Sequence, residues 1–348
     1  MKTSLRSLTN ALLLVGMGFA LFYLGPAVRE LMRGERDQPE LLKAPLLADS
    51  PQETAGNHYL YQCLVNLERR RSLATQAVQT GVVNDRLVES TGEYLQVGQG
   101  QERRFRWRLQ GRVTDEPVTL DQVSDGESLW TDLAWGEASE ASLRRVWRVD
   151  LRSLRKSLAQ PAAENVRPGE AAAAPLDPNM WASLGGLPML LESLKTNFDF
   201  AQPRSMYYKN QPVYAMIGFW KKEQRDRLLE TEDGAGAEPT ERYPARLPHH
   251  VLVAIGVSDL FPYLVEYRSA EDALSQATLS VDDRFRESRR PMLKLELKPP
   301  RFDVEIDANN FAYKPPPDVN WMDRTAERLA MLKSRQRVAL MLSRRSPK

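Results

Sequence analysis

A chain of 348 residues, 42% hydrophobic and 27% charged, is long enough to bury a core without disulfide staples. Its 48 basic and 46 acidic residues leave a formal charge of +2, so no whole-chain field draws in nucleic acid or a membrane surface. The single cysteine, Cys63, excludes an intrachain disulfide and a cysteine-built metal cluster, and is expected to be a packed thiol on a helix.

From Ser7 to Val28 no residue is charged, and Ala11–Leu24 is almost wholly apolar, with Lys2 and Arg6 before it and Arg29 and Glu30 after. At about 1.5 Å per helical residue the uncharged run spans about 33 Å, enough for a hydrocarbon core of about 30 Å. It predicts a signal anchor and transmembrane segment over residues 1–33. The alternative is a cleaved signal peptide, with Gly25-Pro26-Ala27 supplying small residues for a cut after Ala27. Both readings place the rest of the chain outside the cytoplasm, although Arg29, Arg33 and Arg36 blunt the positive-inside bias. Residues 34–57 mix charges, prolines and small residues without a period, as a linker does.

Between His58 and Val78, the positions Tyr61, Leu64, Val65, Leu67 and Leu73 predict an amphipathic helix, with Arg69, Arg70 and Arg71 on its solvated face. A β-rich meander follows from Arg86 to Trp130. Within it Phe105, Trp107 and Leu109 alternate with Arg104, Arg106 and Arg108, so a half-buried strand presents one apolar face and one guanidinium face set in water or against something anionic. Gly98-Gln99-Gly100 reads as a hairpin loop and Asp125-Gly126 as a hairpin turn. Residues Ala141–Leu158 start as a strand through Val146, Trp147 and Val149, then turn helical and basic. Residues 160–179, with prolines at 161, 168, 175 and 178 and an alanine run, form an inserted loop.

The stripe Leu187, Leu190, Leu191 and Leu194 predicts a helix over Met180–Phe198, buried on one side. Strands are predicted at Met206–Tyr208, Val213–Trp220, Leu247–Val257, Tyr263–Tyr267, Leu293–Leu297 and Phe302–Ile306, several alternating as an antiparallel sheet with one wet face does. Glu230–Thr240 and Ala270–Arg290 read as polar loops. A last helix is expected over Trp321–Leu342, followed by the basic tail Arg344, Arg345 and Lys348.

No residue pattern specifies catalysis. Histidines occur only at 58, 249 and 250, without a metal-protease spacing; neighbours such as His249 and His250 in a strand face opposite ways and cannot readily chelate together, and the two read as a loop-to-strand polar pair. No phosphate-binding glycine motif follows a strand. The arginine row cannot pair with base stacking because its aromatic neighbours point to the other face, so no nucleic acid is expected. No cofactor and no metal are implied.

Tyr94–Gln96 followed by Arg104–Leu109, the run Gln122–Trp130 through its Asp-Gly hairpin, and the late Phe311-Ala312-Tyr313-Lys314-Pro315-Pro316 together resemble the LolA/LolB-like family of periplasmic lipoprotein carriers. Leu184–Leu194, Pro212–Trp220, Leu247–Gly256 and Asp259–Arg268 are similar to uncharacterised bacterial envelope proteins with a LolA-like plan, as in planctomycetes. The likeness covers about residues 58–323. It implies an α+β fold: a strongly curved antiparallel sheet, an open half-barrel with helices covering its concave face, as one domain over residues 58–345. The anchor and the 160–179 insertion depart from the soluble carriers and suit a tethered protein better than a shuttle.

On such a sheet Phe105, Trp107, Leu109, Trp130, Trp147, Val213, Trp220 and Leu295 would line a hydrophobic groove for a lipid or the acyl chain of a lipoprotein. The expected protein is a non-catalytic binder, tethered at the inner membrane with its main domain in the periplasm, or secreted there after cleavage. The alternative is a structural or protein-interaction module in which the same residues are ordinary core.

Overall fold

The computed structural model describes residues 55–83, 86–113, 116–136, 144–159, 178–222, 224–225, 248–269 and 291–330. The expected anchor, the linker up to residue 54, most of the 160–179 insertion, both polar loops and the basic tail lie outside these residues. Among the described residues no helix is long and apolar enough to cross a membrane.

Helix α1 (Ala55–Arg69) leads into β1 (Ser72–Val83), β2 (Arg86–Val97), β3 (Arg104–Val113), β4 (Glu116–Ser124), β5 (Ser128–Trp135) and β6 (Arg144–Asp150). Helices α2 (Leu151–Ala159) and α3 (Pro178–Asn197) follow, then β7 (Phe198–Phe200), β8 (Arg204–Tyr208), β9 (Gln211–Trp220), β10 (His250–Gly256), β11 (Pro262–Arg268), β12 (Leu293–Leu297), β13 (Arg301–Phe302) and β14 (Trp321–Asp323). The strands form a large, mostly antiparallel open sheet with few helices, in the order β14-β6-β5-β4-β3-β2-β1-β12-β11-β10-β9-β7, with β13 on β1 and β8 on β9. The pair β14–β6 is parallel.

Two expected helices are corrected. The predicted helix 58–78 stops at Arg69, and Leu73 belongs to β1, where alternation and pairing with β12 and β13 outweigh the helix-forming alanines and leucine. The predicted helix 321–342 opens instead as β14, and a helix starts only at residue 325. Of the strand expected at Phe302–Ile306, only Phe302 is paired, beside Arg301 in the two-residue β13.

By contacts the chain forms two compact units. One runs up to Leu67 and takes in Ala77–Glu89 and Asn197–Pro299; the other holds Glu68–Gln76, Ser90–Thr196 and the chain from Pro300.

In the first unit β10 is buried along its whole length, as its unbroken run VLVAI requires when both faces are covered. Helix α1 buries Leu60, Cys63, Leu64 and Leu67 at helical spacing. It approaches β7 so closely that a Cβ on Gly56 would lie 2.3 Å from the Ala201 carbonyl oxygen, and the Asn57 side chain accepts the Phe200 N–H at 3.0 Å. Burial pushes the Cys63 thiol pKa up, so the group is an inert packed thiol, as expected.

In the second unit β2–β6 form the meander, and its register sorts side chains by face. Tyr94 pairs with Trp107, Trp107 with Gln122, Gln122 with Thr131, and Thr131 with Trp147. Arg106 pairs with Val123, Val123 with Trp130, and Trp130 with Arg148, which places these on the opposite face.

Candidate functional site

The candidate site is the apolar face of the meander with the helix laid over it. Phe105, Trp107 and Leu109 are buried on it, and their arginine neighbours lie on the other side, as alternation predicts. Tyr94 anchors the contact with α3: its ring meets Trp107 edge-on at 5.3 Å, and its hydroxyl donates to Gln96 Oε1 at 2.8 Å while accepting the Leu187 N–H at 3.1 Å. Burial pushes the Tyr94 pKa well up, so it stays a neutral phenol. Helix α3 breaks at this point. Gly186 has φ 69° and ψ −156°, and a Cβ there would stand 2.3 Å from the Tyr94 hydroxyl oxygen. Only glycine allows both that conformation and that approach. Leu187, Leu190, Leu191 and Leu194 of α3 are all buried, as their spacing predicts.

Of the eight groove residues, the five on the meander do not all share one face. Phe105, Trp107 and Leu109 share the apolar face, and register adds the half-buried Trp147, whose ring lies 5.1 Å from the Arg324 guanidinium carbon. Trp130 is a correction: it projects from the arginine face and packs against Tyr313 at 5.5 Å and Trp321 at 5.2 Å. Val213, Trp220 and Leu295 are buried in the other compact unit.

The arginine face is not bare. Arg106 presents Nε and Nη2 to the two oxygens of Asp121 at 3.0 and 2.6 Å, and Arg108 adds a bond at 3.1 Å. Arg144 holds Asp132 in the same two-toothed way at 2.9 and 2.5 Å, and the Tyr313 hydroxyl donates to Asp132 at 2.8 Å. The hydrogen bonds to these carboxylates raise the pKa of both guanidinium groups. The segment after β13 lies over this face: Asn310 accepts from Arg106 at 3.4 Å, and Phe311 is buried under Arg104. Of the two settings expected for the arginine row, water or an anion, Arg106 and Arg108 meet the second within the chain itself at Asp121, while Arg108 stays partly in solvent. The sequence offered the signal in Asp121, placed on β4 where cross-strand pairing with Arg108 is forced.

His249 and His250 form a loop-to-strand polar pair, as expected. His249 precedes β10, so strand alternation does not separate the pair, and their Nδ1 atoms lie 3.2 Å apart. Burial depresses the pKa of both, that of His250 to about 3. Among the described residues no group of three or more histidine, cysteine or acidic side chains is placed to hold a metal ion. The arginine triplet is likewise structural: Arg70 lies over the Phe302 ring at 4.3 Å and donates to Asp303 at 3.2 Å, while the Arg71 N–H donates to the same carboxylate at 3.0 Å.

No family model matches this chain, and no curated protein matches it. Among solved structures it is similar to a DUF1329 family protein from Desulfovibrio piger, at 10% identity over 74% of this chain and 96% of that one, with a TM-score of 0.27. It is similar to a LolA superfamily protein from Nitrosomonas europaea at 12% identity, over 74% and 98% of the two chains, with a TM-score of 0.22. The MucA/MucB complex of Pseudomonas aeruginosa matches at 7% identity, over 74% and 60%, with a TM-score of 0.34. At these identities and TM-scores the matches carry neither a family nor a function to this chain.

Proposed function

We propose that the protein binds a hydrophobic ligand, a lipid or a lipoprotein acyl chain, between the apolar face of β2–β6 and α3, without catalysis. The observation that carries this reading is the break in α3 at Gly186 directly over Tyr94: the aromatic face is covered there by a helix with a built-in joint, and a joint lets the cover lift. In this reading the meander is strongly curved with α3 over its concave side, and Phe105, Trp107, Leu109 and Trp147 touch the ligand. The anchor over residues 1–33 then tethers it at the inner membrane with the folded part in the periplasm; a cut after Ala27 would release it there.

A structural or interaction module with a filled core is the competing reading, favoured by the near-complete burial of Phe105, Trp107 and Leu109, at 2%, 1% and 1% exposure. Full-length protein purified in an amphipol and extracted for mass spectrometry separates the two. Retained lipid at near one molecule per chain, displaced by a fluorescent fatty acid, is the expected result. Lipid-free protein that ignores the fluorescent probe would establish the filled core.

A further inference from the structure

Arg103 stands just before β3 in extended backbone, φ −61° and ψ 126°, so it shares the apolar face with Phe105 and Trp107. It is 8% exposed, and its Nε and Nη2 are buried with no hydrogen-bond partner among the described residues. Its ionic neighbour, Glu68, is 3.8 Å from Nη2, beyond hydrogen-bond range, and half exposed at 50% of its side chain. Gln96, on the same face of β2 and fully buried, accepts from Tyr94 through Oε1 but leaves Nε2 without a partner. Pairing of Val97 with Arg104 sets Gln96 and Arg103 on neighbouring strands at the same end of the sheet, and the Arg103 charge reaches Tyr94.

All three orphaned atoms are donors. Buried donors in native proteins are as a rule satisfied, and a buried guanidinium whose one countercharge stands beyond hydrogen-bond range and half in solvent is a costly exception. Water can fill a neutral donor's need but does not neutralise the cation. The edge without hydrogen bonds, Nε with Nη2, is the one that takes a carboxylate or phosphate in two parallel bonds, and the Glu68 carboxylate stops short of it. In this same sheet Arg106 and Arg144 present that edge to Asp121 and Asp132. We infer that Arg103 and Gln96 bind the anionic head, carboxylate or phosphate, of a ligand whose apolar part lies along the Phe105–Trp107 face. The inference rests on the hydrophobic-ligand reading for the tail alone; the anion site stands on its own geometry.

The test titrates full-length protein, in amphipol, with decanoate, decanol, acetate and inorganic phosphate, following tryptophan fluorescence and calorimetry. Decanoate is expected to bind about tenfold or more tighter than decanol, the factor that one charge-assisted bond supplies. Arg103→Met should bring the two within about twofold, and Gln96→Leu should weaken decanoate about threefold while leaving decanol unchanged. Without ligand, Arg103→Met should melt at or above the wild-type temperature, because a buried cation with two nitrogens lacking hydrogen bonds is gone and the half-exposed Glu68 is left solvated. Should acetate or phosphate bind through Arg103 while neither decyl probe does, the anion site is real and the hydrophobic-ligand reading falls. Equal, Arg103-independent binding of decanoate and decanol keeps that reading and overturns the anion site. No binding by any probe overturns both, and an Arg103→Met protein that fails to fold, with Gln96→Leu leaving decanoate affinity intact, makes Arg103 a purely structural cation and overturns the inference.

Discussion

Acid weakens the fold through His250, by an amount that follows from the packing around it. The imidazole is 4% exposed; Arg268, its cross-strand partner, is paired with Glu266 at 2.9 Å, and His249 approaches from the chain end of the strand. Burial first, then the charges of Arg268 and His249, hold its pKa at about 3, against an ordinary value of 6.5. Because the folded value is depressed, the unfolded chain takes the proton first. The stabilisation is complete above about pH 6.5 and is lost as the pH falls toward 3. At about 1.4 kcal/mol per unit, the 1.5 units between pH 6.5 and 5 remove about 2 kcal/mol. His249, depressed by burial, adds in the same direction. Urea unfolding of wild type and His250→Gln at pH 7.5 and pH 5 isolates the effect, since glutamine does not titrate. Wild type should lose about 2 kcal/mol more than the variant over this interval. Equal losses in the two proteins would refute the assignment.

Two further predictions concern the faces of the meander. Asp121→Asn leaves Arg106 and Arg108 without their shared carboxylate and should cost about 2–4 kcal/mol in urea unfolding, below the figure for a fully buried pair because Arg108 is 41% exposed; wild-type stability in the variant would show the pairing to be incidental. Gly186→Ala forces a side chain into positive φ and against the Tyr94 hydroxyl, and should cost about 1–2 kcal/mol for the backbone plus about 1 kcal/mol for the lost Leu187 bond. In a Tyr94→Phe background the cost should shrink, since the oxygen in the way is gone, and an unchanged cost would disprove the contact.

The meander was legible because alternation is a strict geometric rule: Phe105, Trp107 and Leu109 went inside and Arg104, Arg106 and Arg108 to the other face. The leucine stripe of α3 was legible for the same reason at helical period. The side chosen by Trp130 was not, since it depends on the register across the turn: Ser124 pairs with Leu129, and one residue more or fewer would have turned Trp130 to the apolar side. Strand β1 was hidden because Leu73, Ala74 and Ala77 are helix formers, and only the partners Phe302, Arg301 and Leu297, more than two hundred residues later in the chain, make them a strand. The open donors of Arg103 and Gln96 were invisible for a simpler reason: an unpaired atom shows only when every neighbour has been placed.

The cover over the arginine face comes from the far end of the chain: Arg106 reaches Asn310 across 204 residues and Asp132 reaches Tyr313 across 181. During synthesis the meander therefore emerges long before its lid does, with Trp130 and the Arg–Asp ladder open to solvent and to β-strands of other molecules. Closure of loops that long makes this step late and slow. A chain cut short before Tyr313 would stay in that exposed condition for good, which makes the last stretch a checkpoint for the whole second unit.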